Sequence, residues 1–375
     1  MKRHSLLSIA LFGLLFSLSA NVSAAEKKIP VIFDTDMAID DWAALLYLAH
    51  HPQADLIGVT VSSSGESHCL PGLNNIQKLL ALSPQDHEVG IACGPDYPLQ
   101  GYFVFPEAWR TDSDTLSGVP LPDAGPVITE NPLPAEDLIH QLIQSATEKV
   151  TLIATGPLTN IALWLEKYPQ DKPRIADLVI MGGAVDAPGN IIVPLFTKGH
   201  PNTSAEWNIF IDPLAADEVM KSGLPITLVG LDVTNSVRVT TERAADFKAH
   251  VVTPAARFWD AVLDKNDWFI ESNEYYFWDT LAVIIAMHPE FCRGDELGLR
   301  VDYAVTDTPW MQTTDTTMPD TTVRDEQRRH LDAASAGVMQ KDMGYPSVRV
   351  CRESFPEKVF VEFRDRLNNV TDSAE

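Results

Sequence analysis

The chain has 375 residues, a formal net charge of −24 and 45% hydrophobic residues. That length allows one large α/β domain or two ordinary ones with a sizeable core. A surface this acidic repels polyanions, which excludes nucleic acid and acidic membranes as main partners.

In chain order, Lys2 and Arg3 precede an apolar run from Leu6 to Leu18, and Val22-Ser23-Ala24 follows. Basic, apolar and small-residue segments in that order mark residues 1–24 as a secretory signal peptide. The apolar run is shorter than the roughly 20 residues a membrane span needs. The expectation is a cleaved leader, one domain over residues 25–375, and a periplasmic or secreted location. Four cysteines, Cys69, Cys93, Cys292 and Cys351, would then sit in an oxidising compartment. Cys292 and Cys351 flank C-terminal strands and can be bridged, but three connectivities are open and free buried thiols fit as well.

Ile29 to Phe33 is short, β-branched and not alternating, which predicts a buried parallel strand. It runs into Asp34-Thr35-Asp36-Met37-Ala38-Ile39-Asp40-Asp41 and a helix from Trp42 to His50. Strands follow at Asp55–Val61, Glu88–Ala92, Lys149–Ala154, Asp177–Met181, Pro225–Leu231 and Ser347–Cys351, with a weak one after Met287. Helices alternate with them near Asn74–Leu82, Ala135–Thr147, Asp212–Ser222 and Leu281–Met287. A Pro/Gly/Asp-rich segment spans Pro95–Pro134, and a Thr/Asp-rich loop lies around Thr306–Thr322. Repeated β-then-α units predict an α/β fold with an open, mostly parallel sheet and helices on both faces. Ligands of such sheets bind beyond the carboxyl ends of the strands, where every polar cluster here falls.

Four carboxylates within eight residues, at Asp34, Asp36, Asp40 and Asp41, repel one another at neutral pH, and a bound cation is the simplest reason for them. A surface helix cap accounts for one of the four. Oxygen donors without nearby Cys or His favour a hard ion, Ca2+ ahead of Mg2+, and disfavour zinc. No Ser-His-Asp set, G-x-G-x-x-G, Walker loop or EF-hand spacing is present. Phosphatases of the haloacid-dehalogenase type share a D-x-D at a strand end, but Ala38 stands where they carry Thr or Val.

The acidic turn, Thr155-Gly156-Pro157-Leu158-Thr159-Asn160, Met181-Gly182-Gly183, Ala205-Glu206-Trp207-Asn208, Leu231-Asp232-Val233-Thr234 and Trp278-Asp279 resemble, in order, the motifs of the nucleoside hydrolases. The resemblance covers about Ile29 to His288 and is specific as an ordered set. It implies Asp36 as calcium ligand and general base, with Asp41, the Thr155 carbonyl and Asp279 as further ligands. Asp34 matches a supporting carboxylate. Asp40, Asn190, Glu206 and Asn208 match ribose contacts, with capping of the following helix as the alternative role of Glu206 and Asn208.

Pyrimidine-tolerant members carry His where this chain has Trp278, so the likeness is to the class acting on inosine, adenosine and guanosine. There Trp278 would stack on the base with Trp109 of Phe105-Pro106-Glu107-Ala108-Trp109-Arg110. The implied reaction is calcium-dependent hydrolysis of the N-glycosidic bond, giving ribose and free base. A broad-specificity hydrolase and a non-catalytic periplasmic nucleoside- or ribose-binding protein are the alternatives. Family members are often homo-oligomers, but no interface is legible here. Two departures stand out. Ser62-Ser63-Ser64 and Glu66 occupy the place of the usual Asn or Asp after the second strand, and the loop from Asn190 to Ser204, with Lys198, Gly199 and His200, is long.

Overall fold

A computed structural model describes residues 28–83, 87–101, 103–194, 196–307 and 330–369. The expected leader and the greater part of the Thr/Asp-rich loop lie outside the described residues.

The strands are β1 (Ile29–Thr35), β2 (Ala54–Val61), β3 (Gly90–Cys93), β4 (Val150–Ala154), β5 (Ile175–Met181), β6 (Ile226–Val229), β7 (Arg293–Val301), β8 (Met339–Lys341) and β9 (Ser347–Glu353). They form one sheet in the order β3-β2-β1-β4-β5-β6-β9-β7-β8. Pairing is parallel from β3 through β9 and antiparallel for β7 with β9 and β8 with β7. The predicted open, mostly parallel sheet is what the chain adopts. Successive strands move outward from β1 in one direction through β3 and in the other from β4, so the switch in strand order falls between β1 and β4. A crevice opens beyond the strand ends at such a point.

Helices cover both faces. They are α1 (Ile39–His50), α2 (Cys69–Leu80), α3 (Glu107–Asp114), α4 (Ala135–Ser145), α5 (Thr159–Lys167), α6 (Trp207–Ile211), α7 (Pro213–Lys221), α8 (Leu231–Thr234), α9 (Thr241–Ala249), α10 (Pro254–Lys265), α11 (Asp267–Glu271), α12 (Asp279–Met287) and α13 (Pro356–Leu367). Val31 and Phe33 of β1 pack into the core that holds α1 and α12, while Ile32 packs into the core of α4, α5 and α7. Burial on both faces is why β1 reads as an uninterrupted apolar run.

Three differences from the sequence reading have local causes. The stretch between Asn235 and Trp278, for which no element was expected, holds α9, α10 and α11. Helices α9 and α11 are short, with 9 and 5 residues, and the 12-residue α10 starts at Pro254, a first-turn position that suits proline. The Pro95–Pro134 segment contains α3, and α2 starts at Cys69, before its Pro and Gly. The weak strand is β7, nine residues long, because exposure of residues 293–296 dilutes its apolar signal. Both cysteine pairs are bridged, Cys69 with Cys93 and Cys292 with Cys351. The first ties α2 to the end of β3, and the second joins the start of β7 to β9.

Candidate active site

The acidic turn lies at the carboxyl end of β1, at the switch point, and its side chains are buried: Asp34 0%, Asp36 2%, Asp40 6% and Asp41 0% exposed. Burial of so many carboxylates needs a sharp turn. Met37 supplies it in the left-handed region, with φ 58°, which is costly for a bulky residue. Two contacts hold it there. The Met37 N–H donates to Thr35 Oγ1 at 2.9 Å, and Trp42 Nε1 donates to the Met37 carbonyl at 2.8 Å.

Asp36 sits in a slot between two glycines. A Cβ added at Gly65 would lie 2.3 Å from Asp36 Cβ, and one at Gly156 2.8 Å from it. The Glu66 N–H donates to Asp36 Oδ2 at 3.2 Å. Asp41 accepts from the Ala38 N–H at 2.8 Å and from Thr155 Oγ1 at 2.6 Å, which ties the ends of β1 and β4 together. Asp34 Oδ1 accepts from Thr60 Oγ1 at 2.6 Å and Asn160 Nδ2 at 2.7 Å, while its Oδ2 is buried with no partner.

Asp279, 239 residues after Asp40, starts α12 and joins the turn: its N–H donates to Asp40 Oδ2 at 3.2 Å. Carboxylate oxygens of Asp40, Asp41 and Asp279 lie within 4.8 Å of one another, and Asp36 meets this group through Asp41. The sequence reading set Asp36 beside Asp41 and Asp279 as cage and Asp40 on the sugar. The tightest triad here instead includes Asp40.

The electrostatics are severe. Burial, then the charge of Asp41 and Glu66, holds the Asp36 carboxyl well above the usual range. Burial with Asp40, Asp41 and Asp36 does the same for Asp279, and burial with Asp41 raises Asp40 to about 7. The neighbours that act on these groups are acids. A divalent ion is the chemical complement of such a set, whose donors are all oxygen, and the orphaned Asp34 Oδ2 marks the same shortage of positive charge. The residues therefore fit a hard cation.

Around this cluster the other candidate positions take their places. Glu206 caps α6, accepting from the N–H groups of Asn208 at 2.9 Å and Ile209 at 3.3 Å, and from the Gly183 N–H at 2.9 Å. Asn208 Nδ2 donates to the carbonyls of Thr155 at 3.1 Å and Met181 at 3.3 Å, which draws the ends of β4, β5 and α6 together. Asn190 is held by Trp207, whose backbone N–H and Nε1 donate to its Oδ1 at 3.1 Å and its carbonyl at 3.0 Å.

The two candidate stacking rings lie in separate aromatic groups. Trp109 is half-buried, with centroid distances of 5.2 Å to both Trp207 and Phe196. Trp278, also half-buried, lies 5.6 Å from Tyr276, 5.9 Å from Tyr275 and 6.2 Å from Phe269. The loop after β2 contributes Glu66, whose Oε2 accepts from Ser113 Oγ of α3 at 2.9 Å and whose carboxyl burial raises to about 8. Sequence reasoning missed Thr60, Gly65, Gly156 and Trp207 as residues that hold others in place. Gly156 and Trp207 lie inside quoted motifs, whereas nothing in the sequence singles out Thr60.

The model of the inosine-uridine preferring nucleoside hydrolase family matches residues 31–359. A pyrimidine-specific ribonucleoside hydrolase RihA of Shewanella baltica is 34% identical over 234 residues, covering 62% of this chain and 68% of that protein. The RihA of an Escherichia coli strain is 30% identical over 250 residues, 67% of this chain and 74% of its own length. Among solved structures, an inosine-uridine preferring nucleoside hydrolase from Bacillus anthracis superposes with a TM-score of 0.70 at 21% identity, covering 92% of this chain and 100% of that one. The purine-preferring ribonucleoside hydrolase from Gardnerella vaginalis gives 0.69 at 24%, with the same coverage. At those identities the superpositions speak for the fold, and the family model speaks for descent. Matched from residue 31 to residue 359 and folded as these relatives are, the chain belongs to the inosine-uridine preferring nucleoside hydrolase family and is a nucleoside hydrolase.

Proposed function

We propose that this nucleoside hydrolase is exported, uses calcium and prefers purine ribonucleosides, releasing ribose and free base. The convergence of Asp279 on the β1 turn carries the reading, because it gathers oxygen donors from two distant segments at the switch point. Asp36, Asp41, Asp279 and the Thr155 carbonyl would hold the ion. When bound, calcium supplies a fixed positive charge that acidifies and orients water and can grip the ribose 2′- and 3′-hydroxyls.

The protein's own groups account for the rest. Asp36, clamped between Gly65 and Gly156, has one position available and takes the proton of the attacking water. Bond cleavage develops positive charge on the ribosyl ring, and the surrounding buried carboxylates stabilise it. Asp40, Glu206, Asn208 and Asn190 hold the sugar hydroxyls. Attack opposite the leaving base gives inversion. Trp278 and Trp109, each half-buried in its own aromatic group, are the rings that would stack on a purine.

Export is supported by the leader sequence and by the two disulfides, which persist in oxidising compartments. A second reading, preference for pyrimidine or mixed nucleosides, is favoured by the names of the relatives at 30–34% identity. Hydrolysis of inosine, adenosine, guanosine, uridine and cytidine, each assayed as reducing sugar with and without chelator, separates them. Higher kcat/KM on the purines with chelator-sensitive turnover is expected, and uridine ahead of inosine would overturn the purine assignment.

A further inference from the structure

At the opposite end of the helix pair that bears the acids, a second cluster is assembled from His51, His288 and Glu362. His51 follows α1, His288 follows α12 and Glu362 lies on α13, so three helices meet. His51 Nε2 and His288 Nε2 face each other at 3.4 Å, and Glu362 Oε1 lies 3.3 Å from His288 Nε2 and 3.9 Å from His51 Nε2. Ligand bonds of about 2.0–2.1 Å place the donors of a tetrahedral zinc site roughly 3.3–3.4 Å apart. Two of the three edges have that length and the third is 3.9 Å.

The surroundings suit such an ion. His288 Nδ1 lies 3.2 Å from Glu290 Oε1, the carboxylate–imidazole pairing that fixes the ring and exposes Nε2 to a metal. Glu362 Oε1 also accepts from Tyr47 OH at 3.1 Å and Arg366 Nε at 3.0 Å, and against the burial that raises it, His288 and then Arg366 keep its carboxyl at about 2. A metal would replace the proton that Glu362 and Glu290 favour on His288, and the Glu362 and Glu290 carboxylates would then face the ion and the Arg366 guanidinium. His51 is buried, and a cavity of about 190 Å³ lined by His50, His51 and His87 opens beside it. The Gln53 N–H donates to His51 Nδ1 at 3.3 Å, so in the metal-free protein the proton of the neutral His51 ring sits on Nε2, and a metal bound there would displace it.

We infer that His51, His288 and Glu362 form a second metal site, for a borderline divalent ion such as Zn2+, which clamps the far ends of α1 and α12 to α13. Imidazole donors select Zn2+, Co2+ or Ni2+ over calcium, so the two sites take different ions.

The test uses the untagged full chain, stripped with chelator and reloaded with Ca2+, then titrated with Zn2+ by calorimetry and with Co2+ by visible absorption. One equivalent of Zn2+ beyond calcium, tetrahedral Co2+ bands and a Tm rise of about 3 °C or more are expected. His288→Gln and Glu362→Gln should each weaken binding about 10- to 100-fold with inosine turnover unchanged. If His288→Gln does not fold, Glu362→Gln, whose amide oxygen still accepts from Tyr47, carries the test. Asp41→Asn should retain the Zn2+ equivalent. Absence of tetrahedral Co2+ bands, undiminished binding in the folded variants, or loss of Zn2+ in Asp41→Asn overturns the site.

Discussion

Helices α1 and α12 lie side by side, with carboxylates at their starts and imidazoles at their ends, and the two ends solve charge burial in opposite ways. At the rim, Asp36, Asp40, Asp41 and Asp279 are buried together; burial pushes all four carboxyls up, and the charge of neighbouring acids adds to it for Asp36, Asp40 and Asp279. At the far end, Glu362 meets Arg366, His288 and Tyr47, and its carboxyl is held at about 2. Both arrangements follow the helix dipole, which favours acids at the first turn and imidazoles at the last. The far cluster has Arg366 and His288 against Glu362 to balance part of its charge. At the rim the groups that act on the carboxyls are themselves acids, an arrangement that fits a cation supplied from outside.

The comparison breaks if the rim acids prove to be structural. Asp36→Asn should cut kcat on inosine roughly 10³-fold while Tm stays within a few degrees, read by reducing-sugar release and thermal melts. Unchanged turnover would remove Asp36 as the base. Gly65→Ala tests the slot, since its Cβ would collide with Asp36, and a kcat loss of about 10²-fold is expected from the displaced carboxylate. Trp278→Ala should lower kcat/KM on inosine about 10- to 100-fold and on uridine less. A fall in Tm with no change in the purine-to-pyrimidine ratio would make Trp278 a packing residue instead.

The smallest effect lies at the far end and has a defined sign. The Glu362 carboxyl is lowered on folding, so its contribution is present above its unfolded value near 4.5 and is lost as pH falls toward about 2. Glu362 raises His288, whose contribution is present below 6.5 and is lost as pH rises through the elevated value. Melts of chelated protein should therefore show the Tm gap between wild type and Glu362→Gln widest near pH 5–6 and narrower at pH 8. A gap that does not vary with pH would reduce the cluster to packing.

Much of this was legible in the chain itself. An apolar strand running into four aspartates, repeated β-then-α spacing and motifs in a known order determined the parallel sheet, the position of the acidic turn and the family, because strand burial and turn chemistry are local properties. The tertiary structure alone decided what depends on distant partners. It brought Asp279 onto Asp40 across 239 residues, seated Asp36 between Gly65 and Gly156, and made Glu206 an N-cap as well as a sugar candidate. It also paired the cysteines and set His51 against His288, 237 residues apart. Contacts between remote segments leave no periodicity to read, since they arise from how the helices pack on the sheet rather than from any one stretch.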